Sequence, residues 1–396
     1  MVGNMFPELE PLRLVDHHCH GVLPRDLGPE DFERFLTEAA EPPPRGGSLF
    51  DSQIGFALRR WCAPILDLEP HAPPGEYLAR RASLGAAEVN RRFLSASGLE
   101  ELCVDTGYTP EPLLEPAELA LLAGARAHEV VRLEDLAERT IADGVSAYAF
   151  AEDVRGRIAE RAGHAVGAKS IAAYRVGLEL SGERPSGADV KAAAERLYRQ
   201  AERALAGGSG RPRLADETLH RFLVWCAADS GLPIQFHVGY GDSDVDLHRV
   251  DPVRMTPLLR ALEPTGVPVL LLHNYPYQRH AGYLAQVFQN VFVDVSLATH
   301  NLGHRAPAIL AELLELAPFG KVLYASDAFG LAEHYYLGAL LFRRGLGRIL
   351  GEGVEEGAWT RSDAARVARL ITSENARRVY EFDDKPDDGT GTTGPP

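Results

Sequence analysis

Eight short runs of apolar and β-branched residues, helical periodicity between most of them, and no glycine-rich turn after the first run predict an α/β fold: a closed (β/α)8 TIM barrel with a helical insertion after strand one. Runs that are apolar almost throughout suit strands buried on both faces of a parallel sheet. An open doubly wound sheet is the competing architecture, and its phosphate-binding turn is missing.

The first run, LRLVDHHCH (12–20), stops at Gly21. Residues two apart share a strand face, so His18 and His20 project together above Asp16, with His17 and Cys19 on the other side. The interval that follows, about 24–97, is too long for one crossover. EPPPRGG (41–47) and EPHAPPG (69–75) punctuate it, and helical patterns cover 49–61 and 76–95. It reads as the helical insertion, leaving from the top of strand one, where it caps the barrel mouth or braces its side. The next strands are LEELCVDTG (99–107), HEVVRLE (128–134), AVGAKSIAAY (165–174), LPIQFHVG (232–239), VPVLLLHN (267–274), NVFVDVS (290–296) and KVLYASDA (321–328). Helical periodicity covers 192–206, 216–229, 252–262, 281–289 and 306–317, and a closing helix spans 361–382. Residues 383–396 are polar and rich in Gly and Pro and read as a disordered tail, so 1–382 forms a single unit.

The chain has 396 residues, ample for a large core, and a formal net charge of −15. That balance disfavours nucleic acid and anionic membranes as partners and leaves a small-molecule substrate. The four cysteines are scattered with no CxxC spacing, no run approaches a membrane span, and no signal-peptide pattern opens the chain. A reducing cytoplasmic setting is expected, with homo-oligomerisation left open. Neither a G-x-S-x-G elbow nor a P-loop is present. The D-x-D-x-D spacing in GDSDVDLHR (241–249) is not a calcium loop, because Leu247 and Val253 stand where that loop needs Gly and Glu. It reads as the loop after strand five, lining the mouth.

The strand ends carry the chemistry. Strand one ends in His18 and His20, strand five in His237, strand six in His273 and strand eight in Asp327, while strand four holds Lys169 in an apolar run. In a parallel barrel these ends meet on one face. Singly, each has a structural reading, as a hydrogen-bonded core histidine or a helix cap. Together they form a donor set for Zn²⁺, or for Mn²⁺ or Fe²⁺, with one or two ions. His334, in the helix after the last strand, reads as a helix-surface histidine.

In order and context these residues resemble the amidohydrolase superfamily. AKSIAAYR, LPIQFHVGYGDSDVDL, LLHNYPYQRHAGYLA and VFVDVS with YASDA resemble its amidohydrolase-2-like branch, including the amidohydrolase half of fungal fusions with a glutamine-synthetase-like partner. The likeness covers most of 12–340, and this chain lacks the synthetase half. It implies a hydrolase with His18, His20, Lys169, His237, His273 and Asp327 as ligands. In one-metal relatives the position of His273 is catalytic instead. Lys169 admits three roles: a neutral amine carboxylated to a bridging carbamate, a cation steering a substrate carboxylate, or a snorkelling side chain.

The expected reaction is attack of metal-activated hydroxide on an amide carbonyl. Asp327 shuttles the proton, His273 or a metal polarises the carbonyl, and Asp16 braces a histidine from behind. Arg175, Tyr275 and Arg279 follow strands four and six and are candidate substrate-binding residues, with Arg132 nearby. They suggest an anionic, amino-acid-like substrate, and the resemblance points to γ-glutamyl or related acyl amides. The main alternative is a one-metal nonoxidative decarboxylase, which usually lacks the lysine of strand four. A second is a binding protein that keeps the scaffold without catalysis.

Overall fold

The computed structural model describes residues 6–41, 47–206 and 212–382. Most of the EPPPRGG stretch and the expected tail, 383–396, lie outside them. Seven strands form one parallel sheet in chain order: β1 (Leu14–Cys19), β2 (Leu99–Asp105), β3 (Arg126–Arg132), β4 (Gly167–Ser170), β5 (Ile234–Val238), β6 (Val269–His273) and β7 (Val291–Val293).

The eighth strand does not form, which overturns the closed TIM barrel. The sheet curls into a half-barrel that stays open between β1 and β7. Residues 321–328 cross this gap as irregular chain. They meet β7 at a single bridge, Val293 to Val322. They meet β1 through isolated bonds: His17 N donates to the Tyr324 carbonyl (3.1 Å) and Asp327 N to the His18 carbonyl (3.0 Å). The physical cause is partly local and partly a long-range contact. Asp327 has φ +52°, a left-handed conformation that cannot continue an extended ladder. The Asp16 carboxylate also takes the Ser326 backbone N–H (2.9 Å) and hydroxyl (2.6 Å), so a side chain occupies a strand partner's place.

Between β1 and β2 lie α1 (Pro29–Arg34), α2 (Gln53–Ala57), α3 (Pro74–Leu84) and α4 (Ala86–Ala96). The single helical pattern expected over 76–95 is split at Gly85, whose φ of +77° ends α3. Helices α5 (Pro116–Ala123), α6 (Leu133–Ala142) and α7 (Phe150–Arg161) precede β4, and α8 (Gly187–Ala206) and α9 (Glu217–Asp229) follow it. Beyond β5 come α10 (Thr256–Leu262), α11 (Gln278–Val287), α12 (Ser296–Asn301) and α13 (Ala306–Leu314). Then follow the long α14 (Ala332–Glu355), α15 (Arg361–Arg369) and α16 (Asn375–Tyr380).

Two cores result. The larger lies between the sheet and its helices. The smaller fills the inside of the curl: Val15, Cys103, Val130, Leu270 and Leu272 pack on Val379 and Tyr380. The C-terminal segment is therefore a plug. Register shifts between Asp16 and Cys19 break the strict alternation expected of β1. His17 reaches inward to the Tyr380 hydroxyl (3.0 Å), whereas Cys19 packs in the outer core.

One buried ion pair bolts the insertion to the body. Arg81 of α3 donates to Glu333 of α14 (2.8 Å), and the Tyr77 hydroxyl donates to the same oxygen (3.2 Å). Glu333 is fully buried and Arg81 5% exposed. Nearby, His334 of α14 is buried rather than on the helix surface. Its ring stacks on His300 of α12 (centroids 4.7 Å apart, 10° between planes). Burial pushes His300 down to about 3, with His334 adding to the shift, and pushes His334 down to about 4.

Two outcomes follow. Arg81→Ala strands a buried carboxylate and should cost about 3–5 kcal/mol in urea unfolding, while Arg81→Met with Glu333→Leu recovers most of it. The two stacked rings stay neutral in the native state but charge in the unfolded chain below about pH 6.5. Native stability should therefore fall as pH drops from there toward 4, by about 1.4 kcal/mol per pH unit per ring. His334→Gln should make that slope shallower relative to the unsubstituted protein.

Candidate metal centre

The C-terminal ends of β1, β4, β5 and β6 and the 321–328 segment converge on a cavity of about 410 Å3. All six expected ligands line it: His18, His20, Lys169, His237, His273 and Asp327. Three of them form a compact group. His18 Nε2 and His20 Nε2 stand 3.2 and 3.5 Å from the same oxygen of Asp327, and the three ligand atoms lie within 4.8 Å of one another. The other three surround this group. Lys169 Nζ is 3.3 Å from His18 Nε2, and His273 Nδ1 is 3.3 Å from the second Asp327 oxygen. The His237 ring packs on His273 with centroids 4.3 Å apart, while its Nε2 donates to the Tyr240 carbonyl (3.1 Å).

Neighbouring elements aim these groups. Among the described residues the Asp16 carboxylate makes no hydrogen bond to a histidine ring; it holds Ser326 and so positions Asp327, which departs from the bracing role expected for it. Behind β6, Asp294 accepts from the His273 N–H (2.8 Å), the Ser296 N–H (2.8 Å) and the Ser296 hydroxyl (2.7 Å). The Ser296 proton is thereby spent on a carboxylate. Its oxygen, 2.8 Å from His273 Nδ1, accepts the proton that Nδ1 carries. His273 Nε2 is left with its lone pair, the form suited to a metal or a proton. Behind Lys169, Glu134 accepts from the Ser170 hydroxyl (2.8 Å) and the Ile171 N–H (3.0 Å). Gly241 lets the loop after β5 approach: a Cβ there would sit 2.3 Å from the Tyr174 hydroxyl and 2.9 Å from His237 Nε2. His273 (φ +70°), Asn274 (φ +59°) and Asp327 (φ +52°) all hold left-handed backbone, strain concentrated where the donors are aimed.

Electrostatics suit a cation. Burial opposes charge on Asp327, yet His273, His18 and His20 hold its carboxyl well below the usual range. Burial, and then the Lys169 charge, push His18 down to about 4. Burial likewise holds His237 and His273 well below their ordinary value, and lowers Lys169 to about 8. Neutral imidazoles with an ionised carboxylate are the protonation states a divalent ion needs. His18 Nδ1 is buried without a hydrogen-bond partner among the described residues. The spacings from Asp327 to the two β1 histidines match the edge of about 3.4 Å between donors that sit ~2.1 Å from one tetrahedral ion. The residues present therefore fit a divalent metal.

The cavity mouth is charged. Arg132 pairs with Asp105 (2.7 Å), Arg213 with Asp244 (2.8 Å), and Arg175 more loosely with Glu138 (3.5 Å). Asp242 and Asp244 line the cavity, as the reading of the 241–249 loop expected. Glu38, on the loop after α1, also lines it, and burial first, then Asp327 and Asp242, raise its carboxyl to about 7. Of the three substrate-binding candidates, the cavity takes in Arg175 alone. Tyr275 lines a neighbouring apolar cavity against Tyr240, and Arg279 pairs with Glu312 and Glu315 on the surface. Sequence patterns did not point to Glu38, Asp105 or Asp294. The aspartates sit at strand ends, where the residue order held a signal; Glu38 sits in the part of the insertion outside its two helical patterns.

Comparison with known proteins agrees with this geometry. Protein fluG of Emericella nidulans is 31% identical over 242 residues, which make up 58% of this chain and 27% of the fungal protein. The chain thus spans about a quarter of that relative's length. A Lactobacillus casei protein provisionally described as a metal-dependent hydrolase superposes with a TM-score of 0.80 at 28% identity, over 96% of this chain and 98% of that one. The uronate isomerase of Thermotoga maritima shares the fold alone (TM-score 0.63, 14% identity, 95% and 96% covered). The amidohydrolase family model matches residues 15–382. Nearly the whole described fold lies inside that match, and the chain belongs to the amidohydrolase family of metal-dependent hydrolases.

Proposed function

We propose that this enzyme hydrolyses a C–N bond, an amide of the γ-glutamyl type, in a small carboxylate-bearing substrate. The observation that carries the reading is the meeting of His18, His20 and Asp327 on a cavity that also holds Lys169 and Arg175. His18 and His20, with His237, Lys169, His273 and Asp327 around them, would hold one or two divalent ions, Zn²⁺ first and Mn²⁺ or Fe²⁺ next. A bound ion would supply Lewis acidity, polarising a carbonyl and making water nucleophilic at neutral pH.

The chain's own residues do the rest. Asp327 orients the attacking water, takes its proton and returns it to the leaving amine, which prevents expulsion of an amide anion. His273, with Nδ1 committed to Ser296, offers Nε2 as a ligand or as a second proton acceptor. Lys169, its amine already lowered by burial, takes up CO2, loses a proton and becomes an anionic carbamate beside His18. Arg175, only loosely paired, grips the substrate carboxylate. Two features of the chain suit a small-molecule enzyme of the cytoplasm. The net charge is −15, and all four cysteines are free and buried. No helix among the described residues is long and apolar enough to cross a membrane.

His18→Ala and Asp327→Asn should each lower turnover at least ~10³-fold while circular dichroism and unfolding stay near normal. Chelation should abolish turnover and Zn²⁺ should restore it. The products decide the chemistry: amine plus acid supports the proposal, and release of CO2 replaces it with decarboxylation. Arg175→Ala should raise KM about 10–100-fold with little change in kcat, and an unchanged KM removes Arg175 from substrate binding.

A further inference from the structure

The cationic side chains at the cavity mouth all have acidic partners: Arg132 has Asp105, Arg213 has Asp244 and Arg175 has Glu138. The acids are in surplus. The Glu38 carboxylate has no hydrogen bond or ion pair among the described residues, although it lines the cavity. The charges that act on it, those of Asp327 and Asp242, are both negative. Among the described residues the Asp242 carboxylate accepts one hydrogen bond, from the backbone N–H of Asp244 (2.8 Å), and feels the more distant charges of Arg213 and Arg175. Around Glu38 stand Tyr108, Tyr174 and Tyr240, each of which feels its charge. A half-buried carboxylate that lines the cavity without a cationic partner, with tyrosines close enough to feel its charge, suits an ammonium group. A neutral or purely anionic substrate would leave its ionised form uncompensated.

We propose that Glu38, carried by the insertion, selects substrates that bear an ammonium beside their carboxylate, pairing with the ammonium while Arg175 takes the carboxylate. The inference rests on the C–N hydrolase reading above and narrows its substrate to a zwitterionic, amino-acid-like acyl group. It also gives the insertion a task at the site. Residues 24–97 reach the cavity through this loop and set which acyl groups are accepted, while the strand ends do the chemistry.

The test uses the metal-loaded enzyme and a matched pair, γ-L-glutamyl-p-nitroanilide and glutaryl-p-nitroanilide, which differ only by the ammonium group. Wild type should favour the glutamyl compound in kcat/KM by at least about tenfold, the value of one well-placed charge pair. Glu38→Gln should bring that ratio near unity, and Glu38→Asp should restore part of it. An unchanged ratio, or an equal fall for both compounds, overturns the inference. So does a loss of bound metal in Glu38→Gln, which would place the carboxylate on an ion instead. Calorimetric binding of L-glutamate against glutarate to the same proteins needs no turnover. If wild type releases nitroaniline from neither compound, the hydrolase reading fails while the binding preference still judges Glu38. Equal binding of glutamate and glutarate by wild type overturns the proposal for Glu38.

Discussion

The ionised carboxylate of Asp327, largely enclosed by His18, His20 and His273, is the interaction on which the arrangement of this site depends. Burying a lone carboxylate costs several kcal/mol, so such a group survives only when surrounding charge or donors compensate it. Here the compensation comes from ring nitrogens within 3.2–3.5 Å and from Lys169 close behind. Because burial drives the His18 and His273 rings toward the neutral form, they can offer lone pairs rather than protons. A divalent cation would resolve both demands at once, and His18, His20 and Asp327 are able to coordinate one.

The fold serves the carboxylate by leaving the sheet open. A regular eighth strand would hold residue 327 in extended geometry and bury its side chain on one face of the ladder. Instead the chain between β7 and β1 is irregular, pinned by Asp16 through Ser326, and Asp327 is turned into left-handed backbone above the β1 histidines. The loss of ladder hydrogen bonds is offset by side-chain bonds of Asp16 and by the plug of Val379 and Tyr380 inside the curl. The same division of labour recurs at β6. There Asp294 fixes the turn and, through Ser296, the tautomer of His273.

Two layers of specificity surround this centre. Strand-end residues supply the donor groups that line the cavity and sit on a sheet packed on both faces. The mouth is made of loops, where arginines and acids pair across elements remote in sequence, such as Arg213 with Asp244. The buried Arg81–Glu333 pair anchors α3 of the insertion to α14.

The sequence by itself determined the parallel α/β class, the first seven strands and the identity of the six residues that meet at the cavity. These are local properties: apolar runs mark buried strands, and parallel strands bring their C-terminal ends to one side. It also pointed to Arg175 at the site, because that residue lies one short turn beyond the end of β4. Only the tertiary structure decided whether the sheet closes. KVLYASDA looks like a strand, and its irregularity comes from Asp16, some 310 positions away in sequence. Distance along the chain likewise hid the burial of His334 against His300 and the pairing of Arg279 with surface acids. The packing of Tyr275 beside a second cavity was hidden for the same reason. Glu38 was illegible because its place is set by how the insertion folds back over the strand ends, and nothing in its neighbours along the chain encodes that approach.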